Sequence, residues 1–252
     1  MPMNDELLRV EGLFYSLGED KTMLSNLSFS VQEGSFTLLC GPNGAGKSTL
    51  LRILKGLYPL KAGTIVLEGK DVTKREKDRL RKIGLVFQDA DSQFVGQSVE
   101  KDIRFGLENL NLPLEEQNRR IDEVLHLLSM KEQRHRHPHS LSGGEKRKLA
   151  IAGVLAMQPK LILLDEPFAN LDFRSTGATL KLLLRLQKEG HTIILVSHEI
   201  EKCMAHADHV LVLDDGLLVE DGSPEKVLPR LQGHGIHVPH GIPLEKLTWL
   251  AE

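Results

Sequence analysis

The sequence predicts an α/β fold with a largely parallel sheet, and two observations carry that expectation. The stretch Gly41-Pro42-Asn43-Gly44-Ala45-Gly46-Lys47-Ser48 fits G-x-x-x-x-G-K-[ST] between an apolar run, Phe36 to Cys40, and Leu50, Leu54 and Leu57 at helical spacing. Two further runs, Leu161 to Leu164 and Thr192 to Val196, are apolar without alternation and read as strands buried on both faces. A strand that turns into a helix through glycines is a phosphate cradle. Backbone N–H groups can wrap an anion where no Cβ intervenes, and the new helix aims its unpaired N–H groups and positive dipole end at the same point. Lys47 can then reach the β- and γ-phosphates, and Ser48 can place its hydroxyl on Mg²⁺. A chance match in a chain of this length has odds of about one in a hundred.

Composition excludes several classes. The chain has 252 residues, 40% hydrophobic and 27% charged, which suits one large or two small globular domains. A formal net charge of -3 supplies no bulk attraction to nucleic acid or anionic lipid. No apolar run approaches the roughly 18 residues of a membrane span, and Met1 to Glu6 lacks the basic and apolar regions of a signal peptide, so a cytosolic protein is expected. Cys40 and Cys203 lie too far apart for a metal-ligand pattern and read as small buried hydrophobes, Cys40 abutting the phosphate loop.

In chain order, residues 7–16 and 24–31 are β segments joined by a turn at Leu17-Gly18-Glu19-Asp20-Lys21, with Tyr15 closing the first; its ring could pack in the strand or stack on a base. Thr64 to Asp71 reads as a strand and turn, and Ile83 to Phe87 as a short strand ending at Gln88. Asp89 to Asn118 is polar and irregular, and is expected to be a loop-rich surface connector. Ile121, Val124, Leu125 and Leu128 have helical spacing up to Arg134-His135-Arg136-His137-Pro138-His139, where no carboxylate or cysteine joins the histidines at ligand spacing, so a solvated loop is expected.

Leu141-Ser142-Gly143-Gly144-Glu145 precedes an uncharged helical run, and Ser142 with Glu145 satisfies a capping box; the same helix start makes a second anion-binding end. Leu161 to Leu164 runs into Asp165-Glu166-Pro167. Two carboxylates at a buried strand end are costly unless they serve a cation or a reaction. Ligands of parallel sheets bind outside the carboxyl ends of strands, where Lys47 and Ser48 also fall. Asp165 therefore suits Mg²⁺ through water, and Glu166 suits polarising a nucleophilic water. Val196 is followed by Ser197-His198, whose histidine is read either as a satisfied structural one or, at a further strand end, as a γ-phosphate contact. A leucine-rich helix around 180–186, a hairpin about Asp214-Asp215-Gly216, a short helix from Ser223-Pro224, and possible packing anchors Leu244, Leu247 and Trp249 complete the chain.

With these elements placed, the chain resembles an ATP-binding cassette (ABC) ATPase over essentially its full length. By that resemblance Gly41 to Ser48 is the Walker A loop, Gln88 the Q-loop glutamine, Leu141 to Glu145 the signature, Leu161 to Glu166 the Walker B strand with its catalytic glutamate, Leu171-Asp172 the D-loop and His198 the switch histidine. Tyr15 falls where the family is expected to carry its adenine-stacking aromatic. The resemblance implies a P-loop NTPase with a RecA-like core, an antiparallel β subdomain and an α-helical subdomain at about 89–157, all within residues 1–222, with 223–252 a short extension. It implies ATP and Mg²⁺ as cofactors, and catalysis by Glu166, His198 and Lys47. Nucleotide would be bound by Tyr15, Gly41, Pro42, Asn43, Gly44, Ala45, Gly46, Lys47, Ser48, Thr49 and Gln88, and by Ser142, Gly143 and Gly144 acting on a partner's nucleotide across a dimer. Ser48, Gln88 and, through water, Asp165 would hold the metal.

The stretch from Val86 to Phe94 and from Val99 to Gly106 is similar to the A components of energy-coupling-factor transporters, which take up vitamins or transition-metal ions such as cobalt and nickel. This implies a second ATPase subunit, integral membrane partners and a peripheral location on the cytoplasmic face of the cell membrane, with no nucleic-acid partner; Phe94, Val95 and Phe105 are read either as contacts to a membrane subunit or as cover for the helical subdomain's own core. Glu145 in place of glutamine, Ala90 in place of proline, and Phe168-Ala169-Asn170 before the D-loop depart from the usual pattern without removing a catalytic group. Soluble ABC proteins of DNA repair, translation or iron-sulfur assembly are the competing class. The 95 positions from Lys47 to Ser142 leave no room for the long coiled-coil insertion of repair members, a single cassette argues against tandem translation factors, and the Gln93 to Gly106 stretch argues against iron-sulfur assembly. Intact Glu166 and His198 argue against a regulatory module without turnover.

Overall fold

The computed structural model describes residues 6–18 and 21–250. Glu19 and Asp20 of the expected first turn, and Met1 to Asp5, lie outside the described residues.

Strands β1 (Glu6–Leu17) and β2 (Lys21–Gln32) form an antiparallel hairpin. Alternation in β2 turns Leu27, Phe29 and Val31 inward. The fully buried β3 (Phe36–Cys40) leads through the glycine loop into α1 (Lys47–Lys55), which ends at Gly56 with φ 88°; Leu57 therefore falls beyond the helix and is exposed. Strands β4 (Ala62–Leu67) and β5 (Lys70–Asp71) extend the hairpin into a four-stranded antiparallel sheet of order β2-β1-β4-β5. A short helix α2 (Glu76–Lys82), not expected from its charged sequence, follows before β6 (Ile83–Val86).

Two helices, α3 (Val99–Asn109) and α4 (Leu114–Leu127), occupy much of the stretch expected to be a loop-rich connector, which corrects that expectation. In α3, Val99, Ile103 and Leu107 recur every four residues and are buried, and the Ser98 hydroxyl caps the helix by accepting from the Lys101 N–H. The charges that obscured this pattern form a network. Glu100 takes Arg104 Nη2 at 2.6 Å and Arg134 Nε at 2.7 Å, and Arg104 also reaches Asn118. Hydrogen bonds from Arg134 and then Arg104 hold the Glu100 carboxyl down at about 2.

Helix α5 (Gly143–Ala156) precedes the fully buried β7 (Leu161–Asp165); α6 (Phe173–Lys188), β8 (Thr192–Val196), β9 (His209–Asp214) and β10 (Leu217–Gly222) follow. The second sheet has order β10-β9-β3-β8-β7-β6. The five strands from β9 to β6 are parallel, with Leu38 opposite Leu195 and Val210, and Leu164 opposite Val86 and Leu195. Cys40, Val86, Asp165 and Val196 consequently end on one edge.

Period-two alternation divides the apolar interior between the two faces of this sheet. Leu161 and Leu163 join α1 and the antiparallel sheet, while Ile162 and Leu164 join α3 to α6. Each fully buried leucine contributes about 1.5–3 kcal/mol relative to exposure. The segment after β10, beginning with α7 (Pro224–Val227), is stitched into the second cluster through Val227, Leu231, Ile236 and Leu247. Both cysteines are buried, and burial pushes the Cys40 thiol up to about 12, which keeps it from ionising to the reactive thiolate at neutral pH.

Candidate nucleotide site

The glycine loop is shaped by contacts that admit no side chain at two positions. A Cβ on Gly41, at φ +145°, would lie 1.9 Å from the Leu213 carbonyl oxygen, and one on Gly46, at φ +101°, 2.5 Å from Leu24 Cδ2. Gly46 opens α1, so the unpaired N–H groups of that helix face the loop. Lys47 Nζ folds back over the cradle and donates to the carbonyls of Gly41 at 2.7 Å and Pro42 at 2.8 Å. Its ammonium is buried, which lowers its pKa, while Glu166 and Asp165 pull the other way. A phosphate entering the loop competes with two neutral carbonyls for a desolvated cation, an exchange that favours the anion.

The carboxylates stand where β7 ends. Ser48 Oγ donates to Asp165 Oδ1 at 2.9 Å, joining the start of α1 to the end of β7. Glu166 Oε1 accepts the backbone N–H of His198 at 3.1 Å and lies 2.8 Å from His198 Nδ1, joining the ends of β7 and β8. Burial raises both carboxyls above the usual range; the Ser48 hydroxyl opposes this at Asp165, and His198 opposes it at Glu166. Glu166 also has φ 47°, a left-handed conformation that costs a non-glycine residue about 1–3 kcal/mol. The Glu166 N–H donates to the Val196 carbonyl at 3.1 Å and locks that conformation to β8.

One cleft of about 270 Å³ gathers Asn43, Gly44, Gly46, Lys47, Ser48, Thr49, Gln88, Asp165, Glu166 and His198. Gly41 and Pro42 contribute the carbonyls that hold Lys47, and Ala45 is buried beneath the loop, its carbonyl accepting from the Gly216 N–H. Met23 also lines the cleft and was missed, because an isolated methionine at a strand start carries no signal in the sequence. Arg147 was missed as well. From α5 it donates to the carbonyls of Phe87 at 2.8 Å and Gln88 at 2.9 Å, a buried tie between the signature helix and the glutamine.

Tyr15 does not join the site. It is 7% exposed and its ring stacks on Tyr58 with centroids 5.7 Å apart and planes 8° apart, so the expected adenine-stacking role is withdrawn. A β1 side chain two positions further on, Leu17, is 60% exposed instead. Alternation along the strand directs Tyr15 into the interior.

Ser142, Gly143 and Gly144 also stand apart from the cleft. Ser142 caps α5 in a reciprocal box, its hydroxyl accepting the Glu145 N–H at 3.4 Å and its own N–H donating to Glu145 Oε2 at 2.8 Å. Ser142 and Gly143 are exposed. A Cβ at position 144 would lie 3.2 Å from Ser175 Oγ, a tight contact. The histidine segment forms an exposed group in which His137 stacks on His139, and His139 Nδ1 lies 3.1 Å from Asp91 Oδ1.

The profile of the ABC transporter family matches residues 24–169, more than half of the chain. The energy-coupling factor transporter ATP-binding protein EcfA of Methanocaldococcus jannaschii is 39% identical over 229 residues, covering 90% of this chain and 82% of that protein. EcfA1 of Ligilactobacillus salivarius is 38% identical over 92% of this chain and 84% of its own length. Among solved structures, CbiO1 from Clostridium perfringens, described as part of the ABC transporter complex CbiONQ, superposes with a TM-score of 0.83 at 35% identity, covering 91% of this chain and 93% of that one. The chain therefore belongs to the ABC transporter family, and it is an ATPase of that family. Within the family it resembles the ATP-binding components of energy-coupling factor transporters.

Proposed function

We propose that this ATPase is the energising subunit of an energy-coupling-factor uptake transporter, and that a separate membrane subunit selects the solute, a vitamin or a transition-metal ion. The observation that carries the catalytic part of the reading is the convergence of the phosphate loop, Gln88, Asp165, Glu166 and His198 on one cleft at the carboxyl edge of the parallel strands, and the likeness to the EcfA proteins supports the transport part. In this reading the loop and Lys47 bind the β- and γ-phosphates, Glu166 polarises the attacking water, and His198 contacts the γ-phosphate while its backbone N–H orients Glu166. The raised Glu166 pKa brings a general base closer to neutral pH, where proton transfer is most effective.

The donor set fits Mg²⁺. Mg²⁺ takes few protein ligands and several phosphate and water oxygens. Ser48, Gln88 and, through water, Asp165 are the oxygen donors available. When bound, the metal neutralises charge developing on the phosphates.

Residues 1–222 would be the nucleotide-binding domain, with 89–157 its helical part and 223–252 an extension. The chain would act as a homo- or heterodimer in which Ser142 and Gly144 complete the partner's site, attached to integral membrane subunits on the cytoplasmic face. No helix among the described residues is long and apolar enough to cross a membrane. Val95 and Phe105, both exposed, and the half-buried Phe94 are the contacts offered to a membrane subunit. The test is purification of the tagged chain from detergent-solubilised membranes. Stoichiometric integral membrane partners that reconstitute ATP-dependent solute uptake are expected; a chain that purifies without membrane proteins and turns over ATP unaided would overturn the transport reading.

A further inference from the structure

We infer that Thr248 and Trp249 form a strap that positions the switch histidine against the helix following the D-loop, making Trp249 a positioning residue for ATP turnover. This rests on the ATPase reading and deepens it.

The strap begins at the buried Leu247, whose carbonyl accepts the Ala205 N–H at 3.0 Å. Thr248 Oγ1 lies 2.7 Å from His206 Nε2, and the Trp249 N–H donates to the Lys202 carbonyl at 3.0 Å. The segment thus runs along residues 202–206, the tight turns that begin just after His198. On its other side it lies on α6. The Trp249 ring meets Phe173 with centroids 5.3 Å apart, and a Cβ on Gly177 would sit 2.9 Å from the Trp249 carbonyl oxygen, so the approach needs glycine there. Phe173 directly follows Asp172, whose carboxylate caps α6 by accepting the Ser175 N–H at 2.6 Å.

Lys202 connects these contacts to the site. Its ammonium is buried, lies 4.6 Å from the Trp249 ring centroid and reaches Glu199 Oε2 at 2.5 Å. The Glu199 N–H in turn donates to Ser197 Oγ at 3.1 Å, and the intervening residue, His198, gives its N–H to Glu166. A buried ammonium must keep its neutralising neighbours. Without the ring, Lys202 turns toward water and draws residues 199–202 with it, so that His198 and Glu166 lose their alignment while the phosphate loop stays intact.

The full chain with Trp249→Ala is expected to lose about tenfold in kcat for ATP while KM stays within about twofold, since misplacement affects the reacting geometry rather than phosphate binding. Trp249→Phe, which keeps a ring over Lys202, should recover most of the loss. Leu231→Ala, a cavity in the same carboxyl-terminal segment but away from the strap, should lower Tm without changing kcat. Should Trp249→Ala fail to fold, Trp249→Leu carries the same expectation. An unchanged kcat, or a kcat loss in Leu231→Ala equal to that of the tryptophan variant, would overturn the strap. Hydrogen exchange at amides 197–202 separates this from the ATPase reading. Faster exchange in the tryptophan variant supports the strap even if the parent chain shows no turnover, and unchanged exchange overturns it.

Discussion

The two glycine-bearing helix starts of this chain, at α1 and α5, differ in how completely the molecule itself surrounds them. At the start of α1, Lys47, Asp165 and Glu166 are all buried, and each is bonded to another strand end or to the loop. At the start of α5, Ser142 and Gly143 are exposed, and the Ser142 side chain bonds within the capping box, to the Glu145 N–H and carboxylate. The first is desolvated and strained, as a site that acts on a bound phosphate requires; the second is stable and open, as a surface that meets a ligand held by another molecule requires. On the dimer reading proposed above, these are the two halves of one composite site.

The comparison breaks most sharply at Glu166. Glu166→Gln is expected to retain ATP binding and lose about 10²–10⁴ in turnover, because the amide keeps the shape but polarises water poorly; turnover within about threefold of the parent would remove Glu166 from the role of base.

Complementation sharpens the contrast between the halves. A Lys47→Ala chain and a Ser142→Arg chain should each be inactive, and a mixture with proven heterodimers should regain activity, since one pairing leaves both halves of one site intact. Activity no higher than that of either variant alone would count against sharing.

A smaller effect concerns pH. Burial raises the Glu166 carboxyl, so the acid limb of kcat/KM should have its midpoint above the ordinary glutamate value of about 4.3, turnover falling as pH drops through it. The sign for stability is opposite. Asp165 and Glu166 bind protons more tightly folded than unfolded, so without added nucleotide they favour folding at low pH, and this contribution is lost as pH rises through their raised values. Urea titrations across that range, with Glu166→Gln as the control, measure it.

The smallest effect on the site is expected at Tyr15. Tyr15→Leu should lower stability by about 1–3 kcal/mol through lost packing against Tyr58 and leave ATP affinity unchanged. A fall in affinity without a fall in Tm would restore the ring to the adenine site.

What the amino-acid order determined alone is local. The glycine pattern of residues 41–48 selects the phosphate loop because φ angles and close approaches there exclude side chains, and the unbroken apolar runs before Asp165 and His198 identify strands covered on both faces. Since parallel strands end on one edge, those motifs were already bound to meet. Tertiary structure decided what depends on pairs distant in sequence. Glu100 and its neighbours mask the helix from Val99 to Asn109 in the sequence by filling it with charge, and Glu100 is accommodated there in part by Arg134, 34 positions later. Tyr15 turns inward because Tyr58, 43 positions later, offers its ring a parallel face. Arg147 and Trp249 have no motif at all; their placement comes from the carbonyls of Phe87, Gln88 and Lys202, backbone groups that every sequence carries and that only folding brings within reach.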